Sequence, residues 1–266
     1  MTLLRRIANL PLCLTIAAPL RRLAERVVRL HMQQGFDDAS KNGENWLISL
    51  LAPGCRSFVD IGGNQGDWTA SFLEHSPSAE GVVFDPSHLA AEKLLTRFSG
   101  CPRVTVRQVA VSGSAGRAAF FEEPDAGLSS SLLERCAKPT ARRVEVEVTT
   151  LDREFPGGTI DFLKIDAEGH DLAVLRGARS LLAAKAIRFI QFEYHSTWAV
   201  AGATLCAALD LLEQCGYRVF LLKGPALYEP NYELYGEYFS YANYFALRSE
   251  DRAVVSAHVK PRQRLL

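Results

Sequence analysis

The sequence predicts an α/β fold: a mainly parallel seven-stranded sheet with helices on both faces and a final antiparallel strand. Three observations carry that expectation. From residue 55 onward, strand-like and helix-like patterns alternate, the mark of strands joined through crossover helices. The run TIDFLKI (159–165) is nearly all apolar, as expected of a central strand covered on both faces. Near the far end, YRVFLL and NYFALR are separated by a long segment rather than a helix, so this pair should close the sheet antiparallel.

Taken in order, SFVDIG (57–62) reads as the first strand, and DWTASFLEHS (67–76) as a helix with Trp68 and Phe72 one turn apart. GVVFDP (81–86) is the second strand. Its helix has Ser87 at the N-cap, apolar residues at 89, 94, 95 and 98, and Gly100 as a stop. VTVRQVAVSG (104–113) reads as one third strand. RAAFFEE (117–123) and VEVEVTTL (144–151) read as extra edge strands or a hairpin around a polar loop. The central strand is followed by a helix over 171–184. IRFIQFEYH (187–195), a helix over 204–216 and the closing pair complete the set. The expected divisions are a basic helical extension (1–41), one main domain (42–249) and a tail (250–266).

Composition excludes several classes. Lys+Arg and Asp+Glu both number 30, so no global charge steers the chain toward nucleic acid. The six cysteines form no C-x-x-C pair, which argues against a zinc site or a disulfide framework and for thiols in a reducing cytoplasm. The apolar run over 7–20, 14 residues between two arginine pairs, is shorter than the roughly 20 residues a spanning helix needs. Residues 1–31 hold six Arg and one Glu, a local charge of +5. That charge could place the segment on an anionic membrane, at its inner face. Pro11 and Pro19 are expected to break any long amphipathic helix there, which favours a short helical extension packed on the domain or a partner.

The chemistry lies at the strand ends, where open parallel sheets bind ligands. After the first strand the glycines stand at 62, 63 and 66, which is not the G-x-G-x-x-G dinucleotide fingerprint. Asp60 would oppose a pyrophosphate: two like charges at about 4 Å repel by roughly 4 kcal/mol at an effective dielectric of 20. Asp85 ends the second strand, where a carboxylate can accept both hydroxyls of an adenosine ribose. One acid for a ribose and one for a positive group describe S-adenosylmethionine.

The segments VDIGGNQG, FDP, VAVSG with GRAAFF, GLSSSL, TLD (150–152), LKIDAEGHDLAVLRGA and FEYH, in this order, resemble the FkbM family of S-adenosylmethionine-dependent methyltransferases. The resemblance covers about 55–248 and is most specific over 163–178. It implies the Rossmann-like class I methyltransferase fold and O-methylation of a small molecule or glycan. Two positions depart from the family pattern: Gly63 where Ala is common, and Asp85 where Glu is usual. The donor-side set is then Asp60, Gly62, Asn64, Gly66, Asp85, Ala110 and Asp166.

Moving a methyl to a hydroxyl profits from a base, because a protonated alcohol is a poor nucleophile. Asp166 and Glu168 follow the fourth strand; Glu193 and His195 end the fifth. Residues two apart share a face if strand geometry persists. His195 is the first choice for the base, Glu193 its partner or an acceptor contact. Asp166 would hold the donor's amino-acid part or position the hydroxyl. His170 is expected to cap a helix or face solvent, and the spacing requires no metal. GLSSSL (127–132) offers three hydroxyls that could meet the donor or a sugar, or form an ordinary polar loop. Five of the eight tyrosines fall within 223–243, suiting an acceptor pocket, a subunit interface or a packed lid. The competing functions are an NAD-dependent oxidoreductase and a non-catalytic module that keeps the fold.

Overall fold

Residues 11–31, 38–124 and 130–260 are described by the computed structural model of the chain. The strands are β1 (Ser57–Ile61), β2 (Glu80–Phe84), β3 (Val104–Arg107), β4 (Ala110–Val111), β5 (Gly116–Glu122), β6 (Arg142–Thr149), β7 (Ile160–Ile165), β8 (Ile187–Tyr194), β9 (Tyr217–Leu222), β10 (Leu227–Tyr228), β11 (Ala242–Arg248) and β12 (Val259–Lys260). The main sheet runs β12-β10-β9-β11-β8-β7-β1-β2-β3. Its strands β3, β2, β1, β7 and β8 pair in parallel, and β11 lies antiparallel between β8 and β9.

Seven strands thus form the expected mainly parallel sheet with its closing antiparallel strand. Two additions make nine: β10 and β12, each of two residues, extend the edge beyond β9. The expected third strand splits. β3 stays in the main sheet, whereas β4 turns away after Gln108 and pairs with β6. The segments on either side of the polar loop form the hairpin β5–β6, and with β4 they make a separate three-stranded sheet.

Alternation along the strands sorts the core into two faces. Phe58 of β1, Phe162 of β7 and Phe189 of β8 align in register and pack with helices α3 (Glu44–Leu51) and α4 (Asp67–His75). Their neighbours Val59, Leu163 and Ile190 face the other way, toward α7 (Asp171–Arg176), α8 (Arg179–Ala183) and α10 (Leu205–Gln214). Between α4 and α7 the chain forms α5 (His88–Arg97), capped by Ser87 as expected, and the short α6 (Leu151–Glu154). The single helix expected over 171–184 is broken at Gly177, which packs so closely on the Ser112 carbonyl that a Cβ would stand 2.1 Å from it.

Upstream, α1 (Pro11–His31) corrects the expectation that proline breaks this segment. Pro11 occupies the first helical position, where no N–H is needed. Pro19 removes one main-chain hydrogen bond, and the helix formers on both sides carry the turns through it. The short α2 (Ala39–Asn42) leads into α3, while α9 (Thr197–Ala201) follows β8 and α11 (Tyr232–Tyr235) lies in the tyrosine-rich segment. Arg5, Arg6 and residues 127–129 of GLSSSL lie outside the described residues.

Candidate active site

A cleft opens at the carboxyl ends of β1, β2 and β7, and β4 adds Ala110 and Val111 to its wall. Asp85 is its best-defined polar group. Its Oδ2 accepts the Asn64 N–H at 2.9 Å and its Oδ1 accepts the Ser87 N–H at 2.9 Å. The side chain is buried, and burial lifts its carboxyl to about 6 against those two N–H donors, with Lys164 as a further opposing charge.

The glycine turn explains how Asn64 reaches Asp85. Gly62 has φ of 77°, and a Cβ there would sit 1.9 Å from the Asp166 carbonyl oxygen, so the turn closes only with glycine. At Gly63 a Cβ would meet Val83 at 2.2 Å, so in this chain the position is smaller than the alanine usual in the family. Gly66 does not line the cleft; it caps α4, with φ of 81°, against the Phe98 ring.

The hairpin roofs the cleft. Ser131 bridges to Phe121 and donates its hydroxyl to the Glu168 carbonyl at 3.0 Å, and Ser130, Ser131 and Leu132 join the lining. Glu122 ties the same hairpin to the start of α5, accepting the Ser87 hydroxyl at 2.7 Å and the His88 N–H at 2.8 Å.

Asp60 stands behind the turn rather than in the cleft wall. It is fully buried, accepts the Thr69 hydroxyl at 2.7 Å and faces the Lys164 ammonium at 3.4 Å. Lys164 also reaches Asp166 at 3.3 Å and the Gly62 carbonyl at 3.2 Å. Burial alone would lower this ammonium, but Asp60, Asp166, Glu44 and Glu193 outweigh it and hold the charge more tightly than in water. The repulsion invoked against a pyrophosphate is therefore weaker than the bare charge of Asp60 implies, because Lys164 offsets part of it.

A second polar group gathers beyond Asp166. Asp60, Lys164 and Gln191 align across β1, β7 and β8, and Glu193 aligns with Asn243 of β11. From upstream of β1, Glu44 pairs with the Gln191 amide, and Asn42 donates to Glu44 at 3.0 Å and to the Tyr241 hydroxyl at 3.0 Å. Asn243 donates to the same hydroxyl at 3.1 Å. Buried Gln191 Oε1 has no hydrogen-bond partner among the described residues.

Carboxyls crowd this region. Burial, then Asp166 and Asp171, push Glu193 well above the usual range. Glu168 is lifted to about 9 and Asp171 to about 7, each by burial first and Asp166 second. His195 is lowered by burial, with Asp166 partly opposing. Its Nδ1 lies 3.2 Å from the Ser196 hydroxyl, and its ring meets Tyr241 edge-on at 6.3 Å.

The structure brings together Gly62, Asn64, Asp85, Ala110 and Asp166 around the cleft. Glu193 and His195 lie on the far side of Asp166, outside its lining. Strand geometry ends at Ile165, so Asp166 and Glu168 share the cleft through a turn in which Glu168 has φ of 49°. His170 takes the N-cap position of α7, as expected of a capping residue, but its side chain does not serve as the cap. That side chain makes no cap bond, is half-buried in the cleft wall, and its Nδ1 is buried without a partner among the described residues. Lys164, Asn42 and Glu44 were not singled out from the sequence. A lysine inside an apolar central strand, two residues before Asp166, was the readable signal.

The tyrosine-rich segment is a packed cover. Tyr228, Tyr232, Tyr235 and Tyr238 pack against the core. Glu237 fastens it, accepting the Tyr194 and Tyr232 hydroxyls and the N–H groups of Leu205 and Cys206. Among the described residues, no group of three or more His, Cys, Asp or Glu is placed to hold a metal ion.

A family model described as the methyltransferase FkbM domain matches residues 60–219. The 2-O-methyltransferase NoeI of Sinorhizobium fredii (strain NBRC 101917 / NGR234) is 28% identical over 187 residues, covering 62% of this chain and 74% of that protein. Among solved structures, methyltransferase FkbM from Methylobacillus flagellatus KT is 16% identical with a TM-score of 0.46, over 72% of this chain and 43% of that one. The O-methyltransferase NcsB1 from neocarzinostatin biosynthesis, in complex with S-adenosyl-L-homocysteine and 1,4-dihydroxy-2-naphthoic acid, is 13% identical with a TM-score of 0.40, over 94% and 62%. The chain thus spans less than two thirds of either solved structure.

Proposed function

This chain belongs to the methyltransferase FkbM family, and we propose that it moves the methyl group of S-adenosylmethionine to a sugar hydroxyl of a glycolipid, polysaccharide or glycosylated natural product. The observation that carries this reading is Asp85, whose two oxygens are each fixed by a backbone N–H and keep lone pairs for a ribose diol. Phe84, Val109, Ala110 and Val111 offer an apolar wall suited to an adenine. Asn64 Oδ1 and His170 Nδ1, both buried and without a partner among the described residues, leave polar capacity for the rest of the donor. These features fit the donor, and its sulfonium supplies an electrophilic methyl when bound.

The acceptor in this reading lies over Asp166, Glu193 and His195. His195 Nδ1 lies 3.2 Å from the Ser196 hydroxyl and 3.5 Å from the Thr197 N–H; in this reading the acting tautomer carries its proton on Nδ1, toward the Ser196 hydroxyl, and Nε2 is the basic nitrogen. As the acceptor oxygen bonds to the methyl carbon and the carbon–sulfur bond breaks, Nε2 takes the hydroxyl proton. Glu168, lifted to about 9, holds a proton at neutrality and donates to a sugar oxygen, and Glu193, raised by burial and the same carboxyls, contacts the acceptor beside it. Asp166 positions the hydroxyl between the two sides. The catalytic unit is residues 42–249, and the reaction is cytoplasmic. The name of the Sinorhizobium relative, a 2-O-methyltransferase, supports an oxygen as the acceptor atom.

The test is incubation with radiolabelled S-adenosylmethionine and a cell-envelope glycan extract, followed by hydrolysis to monosaccharides. Label in an O-methyl sugar is expected. Label recovered only in protein, or on nitrogen, would overturn the acceptor class.

A further inference from the structure

Helix α1 carries Ile16, Leu20, Leu23 and Val27 at spacings of four, three and four, so at about 100° per residue they form one stripe along the helix. All four are exposed, at 54, 62, 60 and 58%. Among the described residues, neither buried cluster of the body includes a side chain of this helix. Apolar side chains scattered singly on a surface are ordinary, whereas an aligned row of them is a docking face.

Charge selects the occupant. The helix sequence contains Arg21, Arg22, Arg26 and Arg29 against Glu25, a net +3. Arg21 is paired with Glu25 at 2.7 Å, while Arg22 and Arg26 are exposed and lie off the stripe. A second copy of the helix would bring +3 against +3. No helix among the described residues is long and apolar enough to cross a membrane, so the stripe does not serve a span. An apolar row with a basic opposite face matches an interface that is oily below and negative above.

We propose that α1 lies in the plane of a bilayer containing anionic phospholipid, with Ile16, Leu20, Leu23 and Val27 in the acyl boundary and Arg22 and Arg26 reaching lipid phosphates. The long arginine stems allow this, because they lie along apolar surface while the guanidinium stays with the headgroups. The attraction weakens with salt, since exposed charges are screened over about 10 Å at 0.1 M ionic strength. This inference does not depend on the reaction proposed above.

The full chain is tested by co-sedimentation with vesicles of phosphatidylcholine alone and with about 30% phosphatidylglycerol added. Wild type is expected to pellet with the anionic vesicles and stay in solution with the neutral ones. Leu20→Glu with Leu23→Glu should abolish pelleting, and Arg22→Gln with Arg26→Gln should weaken it about 25-fold, at about five-fold per charge. The Tm of both variants should match wild type, because the substituted side chains are exposed. Failure of wild type to pellet, or equal pelleting of the leucine variant, overturns the proposal. So does a dimer in light scattering that the leucine variant dissolves, since it would identify a second copy as the occupant.

Discussion

Asp85 and Glu193 both lie near the carboxyl end of a strand in one sheet, and burial raises both carboxyls, but what surrounds them differs. Asp85 meets two backbone N–H groups, which hold its oxygens in place and oppose the effect of burial. Glu193 meets other carboxyls: Asp166, Asp171, Glu168 and Glu44. The first environment favours a fixed anion ready to accept hydrogen bonds. The second favours protonated acids around the single Lys164 ammonium, and a protonated carboxyl both donates and accepts. In the proposed reading, one side of Asp166 binds a defined diol and the other sorts hydroxyls.

The largest effect is expected from breaking the crowded side. Lys164→Met leaves fully buried Asp60 without its counter-charge and should lower stability by about 3–5 kcal/mol in urea denaturation. Adding Asp60→Asn should recover much of that loss, since the Thr69 hydroxyl can still be satisfied. If the double variant is as unstable as the single one, Lys164 acts through packing rather than charge.

A smaller effect sharpens the other side. Asp85 is ionised above about 6, and only that form offers acceptor sites on both oxygens. Affinity for S-adenosylhomocysteine should be level above that pH and fall by up to about ten-fold per unit below it. Calorimetry across pH measures this. A level response down to pH 4.5 would mean that Asp85 does not contact the ribose.

How much of this was legible in the sequence follows the same division. Asp85 sits next in chain to its strand and some twenty residues past the glycine turn, so local pattern placed it. Glu44, Lys164, Glu193 and Tyr241 converge only through register and helix packing, which no spacing reveals. The charge argument built on Asp60 is weakened for that reason: Lys164, on a neighbouring strand, offsets part of its charge. In the fold, VTVRQVAV showed no break, so the turn that sends Ala110 into a second sheet was invisible. The two-residue strands β10 and β12 are too short to show a period.

The central claim, that Asp85 holds the donor while His195 serves the transfer, is tested most directly by one calorimetric comparison. S-adenosylhomocysteine is titrated into wild type, Asp85→Ala and His195→Ala. The account predicts affinity about 100-fold weaker for Asp85→Ala, as for two lost charge-assisted hydrogen bonds, and within about three-fold of wild type for His195→Ala. Unchanged affinity in a folded Asp85→Ala protein would contradict it.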